Sequence, residues 1–254
     1  RASFSVPSGA STGTNEALEL RDEDGSVNKA INNVEKIIFP LLQNLSAENQ
    51  EKIDELMIEA DGTENKSKLG ANAILSVSIA VAKAAAVSRK MPVYEYLVKT
   101  FGFSERTTIP LPMMNFLNGG RHAQNSTDFQ EFMIIPNGAS TFQQAMEFGT
   151  KIYQTINDLL DRKNIPYTIG DEGGFAPKLS SNEKAILLLV EAIEKSGYIP
   201  GKQVSIALDT ASSEIYSQGK YRLESEGISL GDQELTAYFK NWINKYPIVS
   251  IEDP

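Results

Sequence analysis

The stretch VSIALDTASSEIYSQGKYRL at 204–223, taken with YPIVSIEDP at 246–254, decides the fold. Val204–Asp209 and Ile248–Glu252 are short apolar runs that each end on a carboxylate, and both read as strands. Between them Leu235, Tyr238, Phe239, Trp242 and Ile243 recur at helical spacing. Gln218-Gly219 reads as a hairpin turn joining Glu214–Ser217 to Lys220–Leu223. The whole is a βαβ unit with a small insertion, the unit that builds parallel sheets. Side chains alternate along a strand, so Asp209 shares a face with Ser205 and Ala207, and Glu252 with Ile248 and Ser250. With the more apolar sides packed on helices, Asp209 and Glu252 point inward at the carboxyl ends of neighbouring strands. That is where α/β barrels and open sheets place their sites.

Upstream, Ile109–Phe116 and Phe129–Pro136 read as strands beside Gly- and Asn-rich turns. Thr141 with Gln144 forms a capping-box pattern. It opens a helix with Phe142, Ala145, Met146, Gly149, Ile152, Ile156 and Leu159 on one face. A second helix opens at Ser180 with Glu183, presents Ile186, Leu189, Val190 and Ile193, and stops at Gly197. Alternating strands and helices from residue 105 onward predict an α/β domain. A complete barrel of this kind takes about 250 residues, so the stretch from 106 to 254 reads as its first half. Before residue 105 the pattern is mainly helical. Val27, Ile31, Val34, Ile38 and Leu41 mark one amphipathic helix. Ile53, Leu56, Met57 and Ala60 mark another, after Ser46 as cap and before Asp61-Gly62 as stop. Leu69–Lys83 is apolar nearly all round, which places it at the centre of the cluster. Ala2–Val6 reads as one lone strand. The chain opens at Arg1 within that strand and closes at Pro254 just after another, as a piece of a longer polypeptide would.

Composition narrows the chemistry. The chain has 254 residues, of which 41% are hydrophobic and 22% charged, enough to bury a core. With 33 acidic against 24 basic residues the net charge is −9, which argues against a nucleic-acid binder. There is no cysteine and a single histidine, so thiolate sites and multi-histidine metal sites are excluded. Any bound metal needs oxygen ligands, as Mg²⁺, Mn²⁺ or Ca²⁺ do. The uncharged stretch between Lys68 and Lys83 is shorter than the roughly 20 residues of a membrane span, and no signal peptide is visible.

Four places hold candidate chemistry. Asp209 and Glu252 are either a solvated pair of loop acids or two ligands of one cation, and spacing alone leaves both readings open. GDEGG at 170–174 is either a turn that keeps one carboxyl protonated near a metal as a general acid or an ordinary Gly-rich loop with solvated acids. His122 in NGGRHA at 118–123, with Gln130-Glu131 in the next strand, is by itself more often structural than catalytic. SGASTG at 8–13 lacks the Lys-Ser/Thr of a phosphate-binding P-loop. The other reading is a Gly/Ser lid with a hydroxyl or carbonyl that meets Mg²⁺.

Together, SGASTG with EALELRD at 8–22, DGTENKSKLGANAILSVS at 61–78, NGGRHA at 118–123, QEFMI at 130–134, GDEGGFAP at 170–177, ALDTASSE at 207–214 and SIEDP at 250–254 closely resemble enolase, the phosphopyruvate hydratase family. The resemblance implies an α/β protein with an N-terminal α+β cap, incomplete here over 1–105. A partial TIM-like β/α barrel with some antiparallel pairing follows over 106–254. It implies Mg²⁺-dependent dehydration of 2-phosphoglycerate to phosphoenolpyruvate, with two Mg²⁺ per site. Carried over by motif, Asp209 and Glu252 resemble two of three carboxylate ligands of the first Mg²⁺, and Ser11 the lid ligand of the second. Glu172 resembles the proton donor to the leaving hydroxyl, with Glu131 and His122 as the other catalytic residues, and His122, Gln130, Glu131 and Glu252 contact substrate. In the family the third carboxylate, the base lysine and the phosphate-binding arginine lie downstream of SIEDP, so this piece alone is expected to be inactive. The resemblance also implies a small phosphorylated acid as substrate, a homodimer or larger assembly, and a cytoplasmic location with a possible surface pool. It implies no nucleic-acid or membrane partner. The rival readings are a non-catalytic surface binder and a related Mg²⁺-dependent acid-sugar lyase or racemase.

Overall fold

The computed structural model describes residues 1–9, 12–103, 108–120, 126–170 and 172–254. The chain divides into two compact units, Arg1–Thr108 and Ile109–Pro254.

The described residues of the first unit form helices. The first amphipathic stretch is a continuous helical run, α1 (Asn28–Asn33), a π-helical turn (Val34–Ile38) and α2 (Phe39–Leu42). The widened turn lies directly before Pro40. A proline there has no N–H for the carbonyl four residues back, and its ring crowds that carbonyl. α3 (Gln50–Asp61) ends at Gly62 in the left-handed conformation, as the Asp-Gly pair predicts. Its N-cap is Asn49, not Ser46. The Ser46 hydroxyl accepts the Glu48 amide at 3.3 Å and so shapes the preceding turn. Asp61 is buried, and its carboxylate accepts the amides of Thr63 and Leu69 at 3.0 and 2.7 Å. This ties the end of α3 to the start of α4 (Ala71–Ser88), and α5 (Val93–Phe101) follows.

α4 runs past Lys83, so the expected length was too short. By length and composition it is long and apolar enough to cross a membrane. In this unit it packs on α1, α3 and α5. Its buried side is made of small residues, Ala73, Ala82, Ala85 and Ala86, whereas Leu75 and Val87 are exposed. Ala2–Val6 joins no strand ladder, because none of the described residues of this unit offers it a partner.

The second unit is a mixed sheet with helices packed on it. β1 is Met114–Asn118 and β2 is Glu131–Ile135. β1 starts later than the predicted Ile109, since Pro110 and Pro112 have no N–H to give a ladder. α6 (Phe142–Arg162) is capped by Thr141, whose hydroxyl accepts the Gln144 amide at 3.1 Å. The reciprocal half of the box is shifted by one residue, because the Gln144 side chain takes the amide of Ser140. The buried face of α6 includes Phe148 and Leu160, while Phe142 and Met146 are exposed. β3 (Tyr167–Ile169) and β4 (Phe175–Pro177) lead to α7 (Asn182–Lys195), whose cap is Ser181 and not Ser180. β5 (Ser205–Asp209) is followed by a short α8 (Ser212–Ile215). The predicted hairpin is a three-stranded ribbon of β6 (Tyr216–Ser217), β7 (Lys220–Leu223) and β8 (Ile228–Leu230). α9 (Asp232–Lys245) returns the chain to β9 (Ile248–Glu252).

The main sheet has the order β3-β4-β1-β2-β5-β9 and is open, with β3 and β9 at its edges. β5 and β9 are parallel, as the βαβ reading predicts, and β1 is parallel to β4. β2 is antiparallel to both neighbours, β1 and β5. Ile152, Ile156 and Leu160 of α6, Ile186 and Leu189 of α7, and Phe132, Ile134, Ile206 and Leu208 of the sheet form one fully buried cluster. Each such side chain stabilises the fold by about 1.5–3 kcal/mol relative to exposure. The result is a rigid sheet whose strand ends hold the candidate site.

Candidate functional site

The pairing register brings four polar residues into one row. Asn118 at the end of β1 faces Glu131 at the start of β2, Glu131 faces Asp209 at the end of β5, and Asp209 faces Glu252 at the end of β9. Register partners project to the same side of a sheet, and neighbouring strands lie about 4.8 Å apart. Three carboxylates are therefore held side by side at one end of the sheet. Asp209 is 9% exposed. Glu252 is exposed on the edge strand, so it is less enclosed than the inward-pointing arrangement expected from parity.

Glu172 reaches the row from the β3–β4 loop. The loop closes through Gly170 N–H to Gly174 O at 2.8 Å and Gly173 N–H to Gly170 O at 2.9 Å, and the Tyr153 hydroxyl holds Gly173 O at 2.7 Å. A β-carbon on Gly174 would lie 2.0 Å from Asn118 Oδ1, so only glycine lets the loop settle this closely on β1. The Asn115 side-chain amide donates to Glu172 Oε2 at 3.0 Å. Glu131 and Glu172 are joined by a side-chain hydrogen bond.

The electrostatics follow from this crowding. Burial, then the hydrogen bond with Glu172, then the charges of Glu172, Asp209 and Glu252 push the Glu131 carboxyl up to about 8. A carboxyl–carboxylate hydrogen bond needs one shared proton, so the Glu131–Glu172 pair retains a proton near neutrality. Asp209 is raised as well, by burial first and by the charges of Glu252 and Asp253, against the lowering effect of the Ala211 N–H and the Gln130 amide. These two donors hold Asp209 Oδ1 at 3.0 Å and Oδ2 at 3.1 Å. Gln130, expected to touch a substrate, thus buttresses Asp209 in this structure.

The set suits a hard divalent cation in chemistry. Asp209 and Glu252 present oxygen donors side by side, and like charges at that spacing are relieved by a cation between them. Around them Asn118 Oδ1 and Nδ2, Asn115 Oδ1 and Gln130 Oε1 are buried and have no hydrogen-bond partner among the described residues. Each such atom costs about 1–3 kcal/mol, which marks the row as a place built to meet polar groups. Among the described residues no group of three or more metal-ligating side chains assembles. Two carboxylates supply part of a shell, as Mg²⁺ sites that keep waters and substrate oxygens require. Ser11 and His122 lie outside the described residues.

Residues overlooked in the sequence reading support the row from below. Asn182, fully buried at the start of α7, accepts the amides of Asp128 and Phe129 at 2.9 and 3.1 Å and donates to Asp128 and Glu226. It fixes the chain immediately before Gln130 and Glu131. Its one sequence signal is the Ser181-Asn182 pair at a helix start, which suits capping equally well. A cavity of about 700 Å³ opens beside Gly120, Ser126, Lys178 and Arg222, and none of the row carboxylates lines it.

The two units correspond to known family descriptions. Residues 1–97 match the family described as "Enolase, N-terminal domain", and residues 106–254 match "Enolase, C-terminal TIM barrel domain". The second match covers more than half of the chain and spans every element of the carboxylate row. An open, mixed sheet with carboxylates at its strand ends is what a partial barrel of that domain provides, and the chain belongs to the enolase family.

Proposed function

We propose that this chain supplies the acid half of a Mg²⁺-dependent site that dehydrates 2-phosphoglycerate to phosphoenolpyruvate. The observation that supports it is the in-register row of Glu131, Asp209 and Glu252 with Glu172 bonded to its first member. Asp209 and Glu252 would hold one Mg²⁺, and Ser11 a second. Bound there, Mg²⁺ supplies positive charge against the negative charge that builds on the substrate carboxylate as the C2 proton leaves. Glu172, sharing a proton with Glu131 near neutrality, gives that proton to the departing C3 hydroxyl. Glu131 keeps the proton on the pair and receives the water formed. Gln130 holds Asp209 in place, and His122 contacts the substrate. The C2 proton needs a base, which the family resemblance assigns to a lysine downstream of Pro254.

The test is phosphoenolpyruvate formation, followed by its ultraviolet absorbance, with Mg²⁺ and with chelator. A longer polypeptide carrying this sequence and the base lysine is expected to turn over, and Glu172→Gln to lose about 10²–10⁴-fold. The 254-residue chain is expected to bind Mg²⁺ with 2-phosphoglycerate and not to turn over. Mg²⁺-independent turnover, or a preference for acid sugars over 2-phosphoglycerate, would refute the reading. The same reading makes the protein a cytoplasmic homo-oligomer, which light scattering and cell fractionation test.

A further inference from the structure

The residue after Asp209 occupies an unusual place. Thr210 is 1% exposed and belongs to the turn that follows β5. Its amide donates to the Glu252 carbonyl at 3.1 Å, and its hydroxyl lies 2.5 Å from the Asp253 carbonyl. The hydroxyl has one proton, which goes to Asp253, the closer of its two carbonyl neighbours. Its oxygen is then left to accept from the Ser212 hydroxyl at 3.0 Å. The Ser212 amide donates to the same Asp253 carbonyl at 3.1 Å. The ends of β5 and β9 are thus laced together one residue beyond the last register pair, Asp209 and Glu252.

The lacing holds backbone that resists its shape. Ala211 and Asp253 both adopt positive φ, 44° and 45°, without being glycine. Such conformations cost about 1–2 kcal/mol each and persist only where the surroundings fix them. Here each one follows a row carboxylate within two residues. The first of these turns also aims its carboxylate. Ala211 N–H reaches back to Asp209 Oδ1 at 3.0 Å, so a turn that relaxes also turns the Asp209 carboxylate. The carbonyls of Glu252 and Asp253 also take the amides of Thr210 and Ser212, so the hydroxyl tightens a join that those two amides already make.

We propose that the Thr210 hydroxyl is a positioning residue that fixes the spacing of the Asp209 and Glu252 carboxylates and so sets the divalent-cation affinity of the pair. This rests on the reading of those two as metal ligands. A strand-end hydroxyl whose partners are two backbone carbonyls and the Ser212 hydroxyl affects the metal through geometry, as outer-shell groups do, with a typical effect of about 10–100-fold on affinity.

Mn²⁺ is the probe, because its electron paramagnetic resonance signal reports the free ion directly. Thr210→Val keeps the shape and removes the hydroxyl, Thr210→Ala removes it without steric risk, and Thr210→Ser restores it. The proposal expects Thr210→Val and Thr210→Ala to bind Mn²⁺ at least about tenfold more weakly than wild type, and Thr210→Ser to bind within about twofold. It also expects faster amide hydrogen exchange at Ser212 in chelator for the first two variants, a readout that needs no metal. If Thr210→Val does not fold, Thr210→Ala decides. Wild-type Mn²⁺ affinity in Thr210→Ala, or the same loss in Thr210→Ser, overturns the positioning role. Absence of Mn²⁺ binding by wild type, with Asp209→Asn indistinguishable from it, instead overturns the metal reading and this inference with it.

Discussion

Glu131→Gln keeps the shape of the side chain, keeps a donor toward Glu172, and removes the titration. In the folded protein Glu131 ionises near pH 8, raised by burial, by the bond with Glu172 and by the charges of Glu172, Asp209 and Glu252, whereas an unperturbed glutamate ionises at 4.5. Between those two pH values the folded protein holds a proton that the unfolded chain has released. The stability contributed by this group is therefore complete below about pH 4.5 and is lost as pH rises through about 8. At about 1.4 kcal/mol per pH unit, that window sets a ceiling of about 5 kcal/mol. Glu131 is only half-buried, and solvent screening reduces the difference to about 1–2 kcal/mol. In chelator, Glu131→Gln is expected to be more stable than wild type by that amount at pH 8 and equal to it at pH 5. Urea unfolding followed by fluorescence of Trp242, the single tryptophan and 2% exposed, measures both. Carboxylates whose ionisation is depressed, such as Asp61 through its bonds to Thr63 and Leu69, titrate identically in both proteins and cancel. An equal gap at the two pH values, or a variant less stable than wild type at pH 8, would show that the row does not crowd Glu131.

Three further outcomes follow from the same geometry. Asn182→Ala strips the shared Oδ1 acceptor from the half-buried amide of Asp128 and the buried amide of Phe129. It should cost about 2–4 kcal/mol in the same urea assay, at about 1–3 kcal/mol for each group left unpaired. Gly174→Ala drives a β-carbon onto Asn118, so the loop must shift and Glu172 moves with it. The pH-dependent gap between wild type and Glu131→Gln should then shrink in the Gly174→Ala background, a coupling that a double-mutant cycle reads directly. Mg²⁺ at a hundredfold excess over its dissociation constant should raise the unfolding free energy of wild type in urea by about 2.7 kcal/mol and leave Asp209→Asn unmoved.

Much of the second unit is legible in residue order because its signals are local. Asp209 and Glu252 end runs short enough to be strands and are separated by one helical stretch, and a right-handed crossover leaves few other arrangements. Thr141 and Gly62 mark helix ends through side-chain and backbone chemistry that acts within four residues. The errors are also local in kind. Ser180 and Ser181 are both good caps, and only the backbone geometry at Ser181 (φ −167°) selects one. The wide turn before Pro40 trades regular bonding for continuity of an apolar stripe, a choice that tertiary packing makes. The burial of Phe148 in place of Phe142 and Met146 depends on where the sheet lies beneath α6, which periodicity alone does not encode.

The direction of β2 is the point on which the site turns, and periodicity is blind to it. EFMII at 131–135 has the same alternation read either way. Beside the family resemblance, which implies some antiparallel pairing without placing it, the available signal was the connection from β1. Residues 119–130 are rich in glycine and turn formers and carry no helical stripe, whereas a parallel return needs a crossover, usually a helix. With β2 reversed, its first residue lies at the end of the sheet where β1, β5 and β9 finish, so Glu131 joins Asn118, Asp209 and Glu252. Were β2 parallel, the same glutamate would lie about 13 Å away at the opposite end, at about 3.3 Å per residue. Ile135 would then stand beside Asp209. Glu131 would share no proton with Glu172, and it would no longer feel the charges of Asp209 and Glu252. The acid character of the site is therefore a product of strand direction as much as of residue type. β3 also runs against its neighbour β4, but β2 is the reversed strand that brings a carboxyl into the row.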